Sequence, residues 1–262
     1  MRSLLRYIFS LVSLLSVVLA SAQVNTDQVL RIGQNALYFE DYMLSIQYFN
    51  QAIQAKPYLA QPYFLRAIAK LNLEDFRGAE EDASKAIELN PFLTDAWEVR
   101  GVARHNTGRH RLAVEDYTEA LKLLPRNRQL LFNKALALND LKEYGEAAEA
   151  FDEILRYYPR FENAYLGRAR TRLALADTAK ALEDIDKALE INKNALNAYI
   201  MRADIAINSE GDYEKALADI DYAIRLQPRA AGLYINRAFL RYKTDSYKGA
   251  MADYDYALTL EP

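Results

Sequence analysis

His105 and His110 are the only imidazoles in the chain, and they stand five residues apart around the turn Asn106-Thr107-Gly108-Arg109. Imidazole is the side chain most often used for metal ligation and for proton transfer near neutral pH, so this pair is the first place to look for chemistry. A metal site needs a third ligand, none is evident at a matching spacing, and the pair reads as a solvent-exposed turn. No nucleophile stands at a spacing that pairs it with a base, and neither a phosphate loop nor a Gly-rich dinucleotide fingerprint is present. The chain has no Cys, which excludes disulfides, thiol nucleophiles and the commonest ligand of structural zinc. These residues therefore point to no reaction, no metal and no cofactor, and the chain reads as a non-enzyme.

The remaining charged residues of interest recur. Cations stand at Arg66, Arg100, Lys134, Arg168, Arg202 and Arg237, and carboxylates at Asp82, Asp116, Asp184, Asp219 and Asp253. A row of arginines could form an anion-binding strip. Arg and Asp occur together in five registers, however, and both are missing from the first, where Ile32 and Tyr48 stand. In the fourth, Lys134 is matched with Ala150. That co-occurrence favours structural ion pairs, Arg66–Asp82, Arg100–Asp116, Arg168–Asp184, Arg202–Asp219 and Arg237–Asp253, because a guanidinium fork matches a carboxylate at two points.

The register itself comes from a repeat. Pro57, Pro91, Pro125 and Pro159 fall 34 residues apart; Pro228 and Pro262 continue the series, with Lys193 in the place of a missing proline. Repeats therefore run at about 26–59, 60–93, 94–127, 128–161, 162–195, 196–230 and 231–262, the sixth carrying one extra residue in the turn Asn208–Asp212. Small residues hold the eighth position (Gly33, Ala67, Gly101, Ala135, Ala169, Ala203, Ala238) and large ones the fourth (Val29, Tyr63, Trp97, Leu131, Tyr165, Tyr199, Tyr234). Each repeat thus reads as two short amphipathic helices whose small residues let the axes approach and whose large ones fill the space beside them. Each proline ends the second helix. One repeat cannot bury its apolar face alone, so neighbours must stack. Nine Gly in 262 residues, and half the chain hydrophobic, agree with helices rather than short strands.

The run Asp95-Ala96-Trp97-Glu98-Val99-Arg100-Gly101-Val102-Ala103, followed by Ala113, Tyr117, Ala120 and Pro125, resembles the tetratricopeptide repeat family, and the resemblance covers residues 26–262. It implies an all-α fold, an α-solenoid of helix–turn–helix repeats forming a right-handed superhelix. In that family a concave groove, lined mainly by the first helix of each repeat, commonly holds peptides or protein segments. Carried over by register, the groove candidates are Gln61, Phe64 and Ile68, Asp95, Gln129, Phe132 and Leu136, Asn163 and Leu166, Asn197 and Ile200, and Phe239. They make an apolar strip flanked by carboxamides, with Asn72, Asn106 and Asn208 at a further groove position. Amides can bond a peptide backbone while aromatic rings accept apolar side chains. The apolar residues of this strip could equally pack against the next repeat.

Ahead of the array, Arg2 and Arg6 precede the apolar run Tyr7–Ala20, and Ala20-Ser21-Ala22 places small residues before a cleavage point. A run of about 14 residues is short for a membrane span. Residues 1–22 therefore read as a signal peptide cleaved after Ala22, leaving 23–262 as the exported array, periplasmic or secreted. Cleavage removes two cations and no acid, moving the formal charge from −3 to −5. That balance lacks the basic excess of nucleic-acid binders.

The expected function is a non-catalytic scaffold or adaptor of an extracytoplasmic compartment that binds a peptide or protein segment. The alternative is the N-terminal interaction arm of a longer enzyme or sensor truncated at Pro262. The expected partner is a protein, with no nucleic acid and no small-molecule substrate evident; any membrane association goes through that partner. End-to-end self-association through the last repeat is a third reading.

Overall fold

The computed structural model describes residues 25–261, so the signal-peptide reading of residues 1–22 lies outside the described residues. All regular structure in this span is helical. The helices come in consecutive antiparallel pairs: α1 (Thr26–Tyr38) with α2 (Tyr42–Ala55), α3 (Ala60–Asn72) with α4 (Phe76–Leu89), and α5 (Thr94–Asn106) with α6 (His110–Leu123). Then follow α7 (Arg128–Asp140) with α8 (Tyr144–Tyr157), α9 (Glu162–Ala174) with α10 (Thr178–Ile191), α11 (Leu196–Ile205) with α12 (Tyr213–Leu226), and α13 (Ala231–Lys243) with α14 (Tyr247–Leu260). The chain divides into two compact units, one ending at Pro125 and the other beginning at Arg126. Within the first, α2 packs on α3 and α4 on α5; within the second, α8 packs on α9, α10 on α11 and α12 on α13.

The periodic small residues form the floor of each core. Ala67, Ala79, Ala86, Ala113, Ala120, Ala135, Ala147, Ala169, Ala181 and Ala188 are all fully buried. Their size lets paired helices close to a distance at which one large side chain fills the remaining gap. Position twenty-four supplies that side chain: Phe49, Tyr117 and Phe151 are buried aromatics, whereas Ala83, Ile185 and Ile220 are smaller. A glycine faces each of these three rings, at position eight of the same repeat for Phe49 and Tyr117, and at position six of the following repeat for Phe151, whose own position eight is Ala135. A Cβ on Gly33 would stand 2.7 Å from the Phe49 ring, one on Gly101 2.6 Å from Tyr117, and one on Gly167 2.5 Å from Phe151. Where position twenty-four is Ala83, Ile185 or Ile220, position eight is alanine.

The turn inside each repeat is a helix C-cap followed at once by an N-cap. Asp41, Asp75, Asp177 and Asp212 accept bonds from the backbone N–H three residues on, at 3.1, 3.0, 3.2 and 2.9 Å, closing the start of the second helix. On the other side, the backbone N–H groups of Asp41, Asp75, Arg109, Glu143, Asp177 and Ser246 each donate back five residues, as in a Schellman cap. This requires a left-handed residue, and the position is filled by Glu40, Glu74, Gly108, Lys142, Ala176 and Asp245, with φ between 60° and 75°. Of these six only Gly108 is glycine. Ala176→Gly should therefore raise the unfolding free energy by roughly 0.5–1 kcal/mol, since left-handed strain of about 1–2 kcal/mol is relieved against glycine's greater chain entropy. Urea unfolding of Ala176→Gly beside Gly108→Ala checks this: the two should shift the midpoint in opposite directions.

The extra residue of the sixth repeat is absorbed earlier than the turn residues suggest. After Ile205 the helix widens into one π-turn, Ala206–Glu210, and the closing bond runs from Asp212 N–H to Ala206 O at 2.9 Å, one residue longer than elsewhere. Gly211 takes the left-handed place, at φ 65°. No helix among the described residues is long and apolar enough to cross a membrane.

Candidate functional site

The Arg–Asp pairs close within their own repeats. Arg66 reaches Asp82 at 2.5 and 2.7 Å, Arg168 reaches Asp184 at 2.5 and 2.9 Å, Arg202 reaches Asp219 at 2.7 and 2.9 Å, and Arg237 reaches Asp253 at 2.6 and 2.8 Å, each as a two-point fork. Arg100 brings Nε and Nη2 to one oxygen of Asp116, at 3.1 and 2.8 Å. All five carboxylates are buried. The remaining Nη1 of each arginine points to the preceding repeat, donating to Asn50, Ser84, Asp152, Asp186 or Asp221. The ring three residues before each arginine lies under its guanidinium, from 4.7 Å at Trp97 to 5.7 Å at Tyr199. That ring also bonds the carbonyl at the preceding turn, as Trp97 Nε1 does to Pro91 O at 2.9 Å and Tyr234 Oη to Pro228 O at 2.9 Å.

A second cation, one helical turn along, was not singled out by sequence. Lys70 reaches Asp82 at 2.8 Å, Arg104 reaches Asp116 at 2.9 Å, Arg172 reaches Asp184 at 2.7 Å and Arg241 reaches Asp253 at 2.8 Å. The same register comparison carries this signal, because Lys70, Arg104, Arg172 and Arg241 all stand at position eleven. In the sixth repeat that position is Ala206, and Asp219 depends on Arg202. The bond to Asp219, followed by that to Asp186, holds the Arg202 guanidinium above its already high range. The ladder's charge is thus consumed by joints within and between repeats, and offers no open anion strip.

The histidines depart from a freely exposed turn. Their rings are half-buried and pack edge to face, with centroids 4.9 Å apart.

The first-helix faces split the groove candidates by position. In the first unit Gln61 and Asp95 are exposed, whereas Phe64 and Ile68 are half-buried against the core residues Leu30, Leu65, Ala67 and Val99. In the second unit Gln129, Asn163 and Asn197 are exposed. There Phe132 lies edge-on to Phe151 and Phe161, at 6.1 and 5.2 Å, Leu136 is half-buried, and Ile200 packs against the core around Ala203 and Ile224. Leu166 is a core residue at 8% exposure, so its place in a ligand strip is corrected. The cause is common to the fifth position: stacking the next repeat removes these side chains from water. Asn72 and Asn106 bond back to the carbonyls of Ile68 and Val102, both at 2.9 Å, which engages one amide donor of each. Two faces stay open: the position-two residues, and the cleft around Phe239 on α13. That cleft measures about 470 Å³ and is walled by Asp204, Asn208, Ile235, Asn236, Phe239 and Tyr254.

Models of the tetratricopeptide repeat match residues 64–113, 106–160 and 143–197, and another such model matches 204–262. The chain belongs to the tetratricopeptide repeat family. No curated protein matches its sequence. Among solved structures, a tetratricopeptide repeat protein from Parabacteroides merdae superposes with a TM-score of 0.73 at 18% identity, over 90% of this chain and 93% of its own. Pseudomonas aeruginosa pilF gives 0.63 at 23% identity, over 74% of this chain and 88% of its own. YrrB, described as having an unusual peptide-binding site, gives 0.63 at 16% identity, over 71% and 96%. At these identities the likeness shows the tetratricopeptide fold alone. That fold is typically non-catalytic and generally serves as a protein–protein interaction scaffold.

Proposed function

We propose that this tetratricopeptide chain is a non-catalytic adaptor of an extracytoplasmic compartment, and that it holds a segment of a partner protein against the first helices of its repeats. The observation that carries the binding face is the row of polar side chains at position two, Gln61, Asp95, Gln129, Asn163 and Asn197, every one exposed. In the second unit Gln129, Asn163 and Asn197 stand in three successive repeats, and carboxamides spaced this way suit the backbone of an extended segment. The peptide-binding site described for YrrB supports the same use of the fold. The export half of the reading rests on the leader pattern, Arg2 and Arg6, the apolar run and Ala20-Ser21-Ala22.

Full-length chain expressed in its native cell, crosslinked and recovered from the envelope or secretory fraction, tests both halves. The recovered protein should begin at Gln23 and carry a crosslinked partner. The triple variant Gln129→Ala, Asn163→Ala, Asn197→Ala should lose that partner while keeping its helical circular dichroism and melting point. Phe64 and Phe132 are unsuited to this test, because their replacement opens the core. Undiminished capture by the triple variant sinks the binding face, and a chain that keeps residues 1–22 in the cytoplasm sinks the compartment.

A further inference from the structure

The cleft between the first helices of the sixth and seventh repeats contains an acid that the fold does not use. Asp204 stands at position nine of α11, where the other repeats carry Gln34, Ile68, Val102, Leu136, Arg170 and Phe239. The acids on neighbouring helices, Asp186, Asp219 and Asp221, are each bonded to Arg202 or Arg237. Among the described residues none donates a hydrogen bond to Asp204 or pairs with it. Its side chain opens to solvent, yet the packing around it pushes its carboxyl above the usual carboxylate range. An anion partly withdrawn from water and left without a partner is a cost that a bound cation would offset.

The surroundings of Asp204 are apolar on one side and amide-bearing on the other. Ile235, Phe239 and Tyr254 are 48%, 41% and 39% exposed, although each is a large apolar or aromatic side chain. Asn208 and Asn236 complete the wall. Ile207 and Asn208 lie in the π-turn of the sixth repeat, where alone among the described residues a first helix widens, and such turns recur at functional sites. The volume of about 470 Å³ falls within the range of ligand pockets, ~300–1,000 Å³.

We propose that this cleft binds a basic residue and an adjoining large apolar residue of a partner protein segment, the Lys or Arg side chain pairing with Asp204 and the apolar side chain resting on Phe239 and Ile235. The inference rests on the peptide-holding role proposed above and names the chemistry of what is held. Charge complementarity selects this occupant: the unpartnered group is an anion, and the net charge of the whole chain is −3. A neutral small molecule would leave Asp204 unpaired, and a second copy of this acidic chain would meet it with like charge.

Selection of a phage-displayed random dodecapeptide library on the folded chain tests this, followed by binding of the synthesised consensus peptide to Asp204→Asn, Asp204→Arg and Phe239→Ala. The expected consensus has Lys or Arg beside Leu, Met or Phe. Its affinity should fall roughly tenfold in Asp204→Asn, as for loss of one charge-assisted hydrogen bond. The peptide with its cation changed to Glu should bind Asp204→Arg better than it binds the original chain. Because Asp204 makes no bond to another described residue and its charge is a cost to the fold, Asp204→Asn should melt no lower than the original chain, and a large drop would give it a structural role and overturn the proposal. A consensus without a cation, or one indifferent to Asp204→Asn, overturns the assignment of Asp204 while leaving peptide binding standing. Failure to enrich any peptide overturns the peptide-holding role itself, and this inference with it.

Discussion

Arg202→Ala is expected to lower the unfolding free energy by about 3–5 kcal/mol, the range for removing one partner of a buried ion pair. The reason lies in what is left behind. Asp219 is 6% exposed and is forked by Arg202 alone, because position eleven of its repeat is Ala206. In the fifth and seventh repeats Arg172 and Arg241 would keep Asp184 and Asp253 paired after loss of Arg168 or Arg237. Arg168→Ala and Arg237→Ala should therefore cost distinctly less than Arg202→Ala, although Arg168 and Arg237 make equally short bonds. Arg202 also reaches Asp186 of the preceding repeat, so its removal loosens a joint between repeats as well as a pair within one. Arg202→Lys should recover only part of the loss, since an ammonium cannot fork a carboxylate and bond a third group together. Chemical unfolding of the four variants measures this ranking. Equal losses for Arg202→Ala and Arg168→Ala would remove the role assigned to position eleven. Weakened partner binding with an unchanged melt would return the arginines to a ligand-binding strip.

The second large effect is expected at Gly101. Gly101→Ala should destabilise the chain by about 1–3 kcal/mol, as overpacking does, although alanine is favoured over glycine inside a helix by about 1 kcal/mol. The new Cβ would stand 2.6 Å from the ring of Tyr117, which is 1% exposed and has nowhere to move. The sign should reverse in a Tyr117→Ile background. The fifth and sixth repeats, with Ile185 and Ile220 at position twenty-four, carry alanine at position eight; so does the fourth, where the Phe151 ring lies against Gly167 of the next repeat instead. The double-mutant cycle thus predicts strong coupling between two sites in contact. A Gly101→Ala variant more stable than the parent, with Tyr117 intact, would refute the close-approach account.

The sequence by itself determined the helices and their pairing. A period of 34 with prolines, small residues and large residues at constant positions leaves one way for each repeat to bury its apolar face, which is to stack on its neighbour. Comparison of the repeats also assigns Arg202 to Asp219, because arginine and aspartate occur together in five repeats and no repeat has the arginine without the aspartate. Finer features needed three dimensions. The reach of Arg202 to Asp186, the glycine that makes room for each ring, and the left-handed Glu40, Glu74, Lys142, Ala176 and Asp245 all depend on backbone approach rather than on residue type. The candidate binding face changed most. Phe64, Phe132, Leu166 and Ile200 look like ligand contacts in register, but apolarity cannot distinguish a side chain waiting for a partner from one covered by the next repeat. Only the tertiary structure decided that Leu166 is core and Phe64, Phe132 and Ile200 half-buried, and that Phe239, with the Lys243 ammonium 5.5 Å from its ring centroid, stays 41% exposed in the cleft with Asp204.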